Sequence, residues 1–289
     1  IMYFMTRKML AVAIMFASLA LTSCQVPDST SAAPATQQPS ASRINYGSSN
    51  WQYADVYKTR HRQVGVIVFV HGGAWMSGGS TWGEIPSWIK SQSSQGWTII
   101  SLSYRLGSPY VLDDMTADVS LAVSHIKRLK AYRNLPLFLS GHSAGATLAL
   151  RSSIGNSAVS GLVVASSPIE IRNLALSKAS IFGYKLSYIV NNALGCQGEI
   201  NGELSCSEET IARYDLSQEQ IAKLPPVYMV AGAMDDVILP SWSVDWYNEL
   251  VSIKGDSLVW FDYVENTGHS ADGANHAVLA HFLKVFSKK

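Results

Sequence analysis

LPLFLSGHSAGATLALRSS, residues 135–153, changes its periodicity halfway along. Up to Ser140 it is a short, nearly continuous apolar run, as a buried strand should be. From Ala144 onward, small and apolar residues continue in a way that suits a helix. Between the two lies Gly141-His142-Ser143-Ala144-Gly145, which fits the G-x-S-x-G pattern. Strand, tight turn and helix together put Ser143 on a strained corner, above a helix N-terminus whose dipole favours developing negative charge. The glycines suit a turn in which the helix must pass close to the strand. Ser143 is therefore the candidate nucleophile.

Upstream, VGVIVFV (residues 64–70) is a β-branched and aromatic run of the kind expected for a strand covered on both faces. It ends in His71-Gly72-Gly73-Ala74-Trp75. Glycines let a backbone approach a ligand closely. The N–H groups of Gly72 and Gly73, with that of Ala144, are candidate donors to an oxyanion. His71 is read as structural. Trp75 has two readings, pocket wall or core. Further strand-like runs are WTIISL (97–102), GLVVA (161–165), VYMVA (227–231) and LVWFDYV (258–264). Met115, Val119, Ala122, Ile126 and Leu129 recur at helical spacing, and residues 277–286 are amphipathic. Strands alternating with helices predict an α/β fold with a parallel sheet and helices on both faces. The rhythm breaks over about 169–225, where 169–192 has helical character and 195–207 is a polar loop with Gly and Cys. This segment is read as an insertion that gives a pocket a wall or lid.

The composition narrows the function. Hydrophobic residues make up 47% of the 289, charged residues 15%, and the formal net charge is +1. No Lys/Arg-rich run offers a stripe for phosphates, which argues against a nucleic-acid partner. Asp113, Asp114 and Asp118 could suggest a metal, but acids complementing the N-terminal dipole of a helix explain them better. No His/Cys/Asp cluster has metal-ligand spacing, so neither metal nor cofactor is expected. His276 and His281 fall in the terminal helix and carry no assigned role.

HGGAW, then Ser103-Tyr104-Arg105-Leu106, then GHSAG resemble the α/β-hydrolase carboxylesterases of the HGG type, near the arylformamidase-like and hormone-sensitive-lipase-like branches. The resemblance runs from about Val64 to His269. It departs from the HGGG form, since position 74 is Ala, and shows no separate helical cap before the HGG strand. It implies a mostly parallel central sheet with helices on both faces and an insertion after the sixth strand. It also implies an acid after VYMVAG and a histidine after the last strand. Gly232-Ala233-Met234-Asp235 supplies Asp235, with Asp236 as the rival, since Pro240 would suit a D-x-x-x-P spacing from Asp236. Gly268-His269 supplies His269. The order Ser143, Asp235, His269 agrees with that fold. The activity implied is hydrolysis of small or short-chain carboxylic esters through an acyl-enzyme. The alternatives are an amidase, arylformamidase-like or peptidase activity with the same residues, or a catalytically silent hydrolase fold used as a surface binding protein. No long apolar lid is evident, which argues against long-chain triglycerides.

The first residues read differently. Arg7 and Lys8 precede an apolar run over residues 9–21, which is shorter than the ~20 residues a spanning helix needs. Leu21-Thr22-Ser23-Cys24 resembles a bacterial lipoprotein lipobox. The expectation is a signal peptide over 1–23, a lipidated Cys24 and flexible tether over 24–43, and a hydrolase domain over 44–289. That places the enzyme in the bacterial cell envelope, anchored by lipid at the periplasmic face of the outer membrane or at the cell surface. A plain secretory signal or an uncleaved anchor is the alternative. Cys196 and Cys206 are then an even pair in an exported protein and are expected to form a disulfide, with two free thiols as the alternative.

Overall fold

The apolar runs become strands, and the amphipathic stretches wrap them. The computed structural model describes residues 39–196 and 206–287. Cys24, the segment 1–23 expected to be a signal peptide and most of the expected tether over 24–43 lie outside the described residues. In chain order the elements are β1 (Ala41–Asn45), β2 (Tyr53–Tyr57), β3 (Gly65–Val70), α1 (Ser87–Lys90), β4 (Trp97–Leu102), α2 (Leu112–Arg128) and β5 (Leu137–His142). There follow α3 (Ala144–Ser153), β6 (Gly161–Ala165), α4 (Ile171–Leu176), β7 (Ser180–Ile181), β8 (Tyr184–Lys185), α5 (Leu186–Ala193), α6 (Glu208–Ala212) and α7 (Gln218–Ala222). The chain closes with β9 (Val227–Gly232), α8 (Pro240–Lys254), β10 (Val259–Val264) and α9 (His276–Phe286).

An 8-stranded sheet runs in the order β1-β2-β4-β3-β5-β6-β9-β10. From β4 to β10 every neighbouring pair is parallel, and β2 is antiparallel to both β1 and β4. Along β3 the side chains alternate between two cores. Val66, Val68 and Val70 join the core that holds α2, α3 and α8, whereas Ile67 and Phe69 join the core that holds α1 and α9. Such two-sided burial is why these strands read as unbroken apolar runs. The strand order reverses at β3, which has β4 on one side and β5 on the other. Ligands of open α/β sheets bind at such a switch point, beyond the carboxyl ends of the strands. The HGG turn leaves β3 there, and the GHSAG turn leaves β5 beside it.

Three expectations change. Strand β1 begins at Ala41, so Ala41, Ser42 and Arg43 belong to the sheet rather than to the tether. Arg43 is held by a two-pronged pair with Asp55, at 2.9 and 3.1 Å. Leu129 lies just past the end of α2. Asp118 is not a dipole-complementing acid. It is buried and accepts hydrogen bonds from Gln52 (2.6 Å) and from the Arg105 guanidinium and backbone N–H. Asp113 and Asp114 do lie in the first turn of α2, where Asp114 also accepts from the Val111 N–H. Among the described residues, no group of three His, Cys, Asp or Glu side chains could hold a metal ion.

The insertion comprises α4, the β7–β8 hairpin, α5, α6 and α7. A disulfide joins Cys196 to Cys206, and the residues it encloses, 197–205, lie outside the described residues.

Candidate active site

Ser143 occupies the corner between β5 and α3 with φ 51° and ψ −128°, a left-handed backbone that L-residues adopt only under constraint. Its N–H donates to Ala165 O at the end of β6 (2.9 Å), and α3 begins at the next residue. Gly145 allows the corner: a Cβ there would lie 2.2 Å from Val70 O and 2.3 Å from His71 O.

The loop after β10 brings His269 over this serine. His269 Nε2 is 2.9 Å from Ser143 Oγ, and Nδ1 is 3.0 and 3.1 Å from the two oxygens of Asp235. A carboxylate accepts, so Nδ1 carries the proton and donates, leaving Nε2 free to accept from the serine hydroxyl. Asp235 is 4% exposed, and its Oδ1 also accepts from the N–H groups of Val237 and Ile238, both at 2.9 Å. Burial pushes this carboxyl upward. The His269 ring N–H and charge, with the two backbone donors, outweigh it and hold it below the ordinary carboxylate value. Asp236 is exposed, and the structure does not bring it to His269.

The HGG turn faces the serine from the other side. A Cβ on Gly72 would lie 3.2 Å from Ser143 Cβ, so the turn packs directly on the elbow. Gly73 has φ +108°, and a Cβ there would meet Ser77 O at 2.0 Å. Ala74 and Trp75 are also left-handed, with φ 55° and 58°. Among the described residues, the N–H groups of Gly73, Ala74 and Ala144 donate to no backbone carbonyl. The turn is braced from behind. Tyr104 donates to His71 O (2.8 Å) and stacks on the His71 ring at 4.4 Å. The neighbouring Arg105 is the partner of Asp118. The Ser-Tyr-Arg-Leu stretch thus supports the turn rather than reaching the serine.

A small cavity adjoins Ser143. Ala74, Trp75 and Ala144 form one side, and Leu174, Leu186 and Ile189 from the insertion form another. Ile181, Val237 and Ile238 complete an apolar lining. Its free volume is about 10 Å³, roughly the space one water needs. Trp75 is placed between its two readings. It borders the cavity and is core, 2% exposed, with its indole N–H donating to Ala144 O (3.1 Å). Gly72 and Gly73 do not border the cavity, whereas Ala74, absent from the sequence-based candidates, does. The insertion residues were also missed individually, because each is an ordinary hydrophobic in the sequence.

A family model described as BD-FAE matches residues 54–170, which takes in HGGAW and GHSAG but neither Asp235 nor His269. "Probable isoprenylcysteine alpha-carbonyl methylesterase ICME" of Oryza sativa subsp. japonica is 27% identical over 68% of this chain and 50% of its own length. "Kynurenine formamidase" of Meyerozyma guilliermondii is 31% identical over 39% of this chain and 42% of its own length. The chain thus spans about half the length of these curated relatives. Among solved structures, "Truncated form of carbohydrate esterase from gut microbiota" superposes with a TM-score of 0.69 at 16% identity, over 88% of this chain and 100% of that one.

Proposed function

We propose that this chain, which has the α/β-hydrolase fold, is a serine esterase that cleaves small carboxylic esters through an acyl-enzyme on Ser143. The observation that carries the reading is the hydrogen-bonded chain Ser143–His269–Asp235 at the mouth of a small apolar cavity. His269 Nε2 takes the hydroxyl proton as Oγ attacks the ester carbonyl. Asp235 fixes the ring tautomer and stabilises the imidazolium that forms. The Ala144 N–H and the N–H groups of the HGG turn, with Ala74 as a donor beside Gly73, receive the charge on the carbonyl oxygen. One such donor typically contributes ~10²–10³ in kcat. His269 then returns the proton to the leaving alcohol, and a water repeats the sequence on the acyl-enzyme.

The cavity supports a short acyl chain. The cavity, about 10 Å³ and roughly one water in size, favours a small acyl group over a long one. A formyl group fits equally well, which makes an aryl formamide the second reading. Two apolar side chains of the insertion are well exposed, Leu176 at 68% and Phe182 at 61%. They bear on the expectation that the chain has no long apolar lid. Anchoring through Cys24 belongs to the same proposal and rests on the Leu21-Thr22-Ser23-Cys24 motif alone.

The test is a panel of p-nitrophenyl acetate, butyrate and octanoate with formanilide, on wild type and Ser143→Ala. Acetate should be the best ester, and Ser143→Ala should be inactive on all. Activity that survives Ser143→Ala removes the mechanism, and a steady rise towards octanoate removes the short-chain assignment.

A further inference from the structure

His142, between Gly141 and the nucleophile, has no part in the scheme above. Its Nε2 lies 2.8 Å from the backbone carbonyl oxygen of His269. A carbonyl only accepts, so Nε2 carries a proton and donates. The opposite edge of the ring faces the HGG turn, where a Cβ on Gly72 would lie 3.2 Å from Nδ1. One imidazole is thus wedged between the turn that faces Ser143 and the loop that carries the base, and it is bonded covalently next to the nucleophile.

The loop bearing His269 has separate anchors on its two sides. Towards β9, the Met234 N–H donates to Thr267 O (2.9 Å), and Gly232 lets the Gly268 carbonyl approach. Within the loop, the Ala271 N–H donates to Gly268 O (3.0 Å). Towards β5, His142 is the donor that reaches residue 269 itself. The His269 ring is held by Asp235 and Ser143, but those bonds leave the main chain free to pivot around the ring. We infer that His142 is a positioning residue whose Nε2–H ties the main chain of the base-bearing loop to the elbow, so that nucleophile and base keep one spacing.

The charge state suits this role. Burial makes the ring harder to protonate, and the neighbouring His269 adds to that, although the His269 carbonyl, Asp235 and Asp272 pull the other way. A neutral His142 leaves the imidazolium of His269 without a second positive charge 5.2 Å away, ring to ring.

The inference rests on the serine-hydrolase reading, and its test separates the two. Wild type, His142→Gln and His142→Leu are compared for kcat and KM on p-nitrophenyl acetate, with thermal melting of each. Small misplacements of reacting groups cost on the order of 10²-fold, so His142→Leu should lose about 10- to 100-fold in kcat with KM within about two-fold. The Gln amide keeps a donor near the Nε2 position and should restore kcat to within about three-fold of wild type. If His142→Leu does not melt cooperatively, His142→Asn replaces it, since its shorter amide keeps polarity without reaching the carbonyl. Equal losses in the Gln and non-donor variants, a loss confined to KM, or a kcat within about two-fold of wild type in the non-donor variant overturns the inference. Fluorophosphonate labelling of wild-type Ser143 runs in parallel. Its failure overturns the serine-hydrolase reading, whereas a labelled enzyme indifferent to residue 142 overturns only the positioning role.

Discussion

Replacing Asp235 with Asn removes one charge and changes few atoms, yet the structure dictates a specific fault. Asp235 Oδ1 accepts from the N–H groups of Val237 and Ile238, both at 2.9 Å. An Asn must keep its oxygen on those two donors, because turning the amide would set N–H against N–H. Its NH₂ group therefore occupies the place of Oδ2, 3.0 Å from His269 Nδ1. A donor now faces a donor, and the imidazole relieves the clash by moving its proton to Nε2. Nε2 then has no lone pair for the Ser143 proton. The wrong tautomer in such a triad costs about 10⁴ in kcat, equivalent to about 5 kcal/mol in the barrier. Steady-state kinetics on p-nitrophenyl acetate at pH 7.5 measures it, with Asp236→Asn as the control. Asp236 is exposed, so that variant should stay within about two-fold, as surface changes usually do. An Asp235→Asn enzyme within ten-fold of wild type, or a larger loss in Asp236→Asn, refutes the reasoning.

Two further outcomes are expected. Ile189→Ala removes part of the cavity wall beside Ser143 and should shift the ratio of butyrate to acetate hydrolysis upward by about ten-fold, since each methylene is worth 1–3 kcal/mol; an unchanged ratio would place the acyl group elsewhere. His71 is buried, its Nδ1 donates to Gly72 O, and Nε2 has no partner among the described residues, so burial lowers its pKa to about 4. The unfolded chain then binds the proton more readily, so stability is full above the ordinary histidine value near 6.5 and falls as pH drops through about 4. His71→Phe should flatten that acid loss by about 3 kcal/mol in urea titrations between pH 7 and 4, and parallel curves for the two proteins would contradict it.

How much was legible depended on the range of each interaction. Ser143 could be read because strand, glycines and helix are contiguous. Asp235 and His269 could be read only through the family resemblance, because they meet the serine across the fold: His269 is 126 positions from Ser143 and 34 from Asp235. Strand β2 was missed because Asp55 interrupts its apolar pattern. That carboxylate is buried in the structure by pairing with Arg43 and Ser80, and neither partner is near it in the chain. Asp118 was misread for the same reason. Its position near a helix start suggested a dipole, but its partners are Gln52 and Arg105, brought in from the chain segments before it.

The departure from HGGG at position 74 is tied to the size of the site. The reversal of strand order at β3 sets the HGG turn against the elbow, so donors from this turn come from main-chain N–H groups, and a side chain at 74 removes none of them. Left-handed backbone costs a residue with a Cβ roughly 1–2 kcal/mol more than glycine, and Ala74 adopts it at φ 55°. Its methyl group in return borders the cavity with Trp75 and Ala144. A glycine there would relieve the backbone and widen the space facing Ser143. On the proposed reading, the alanine narrows the acyl pocket from the turn side while Leu174, Leu186 and Ile189 narrow it from the insertion. Two segments far apart in the chain thus favour the same small acyl group.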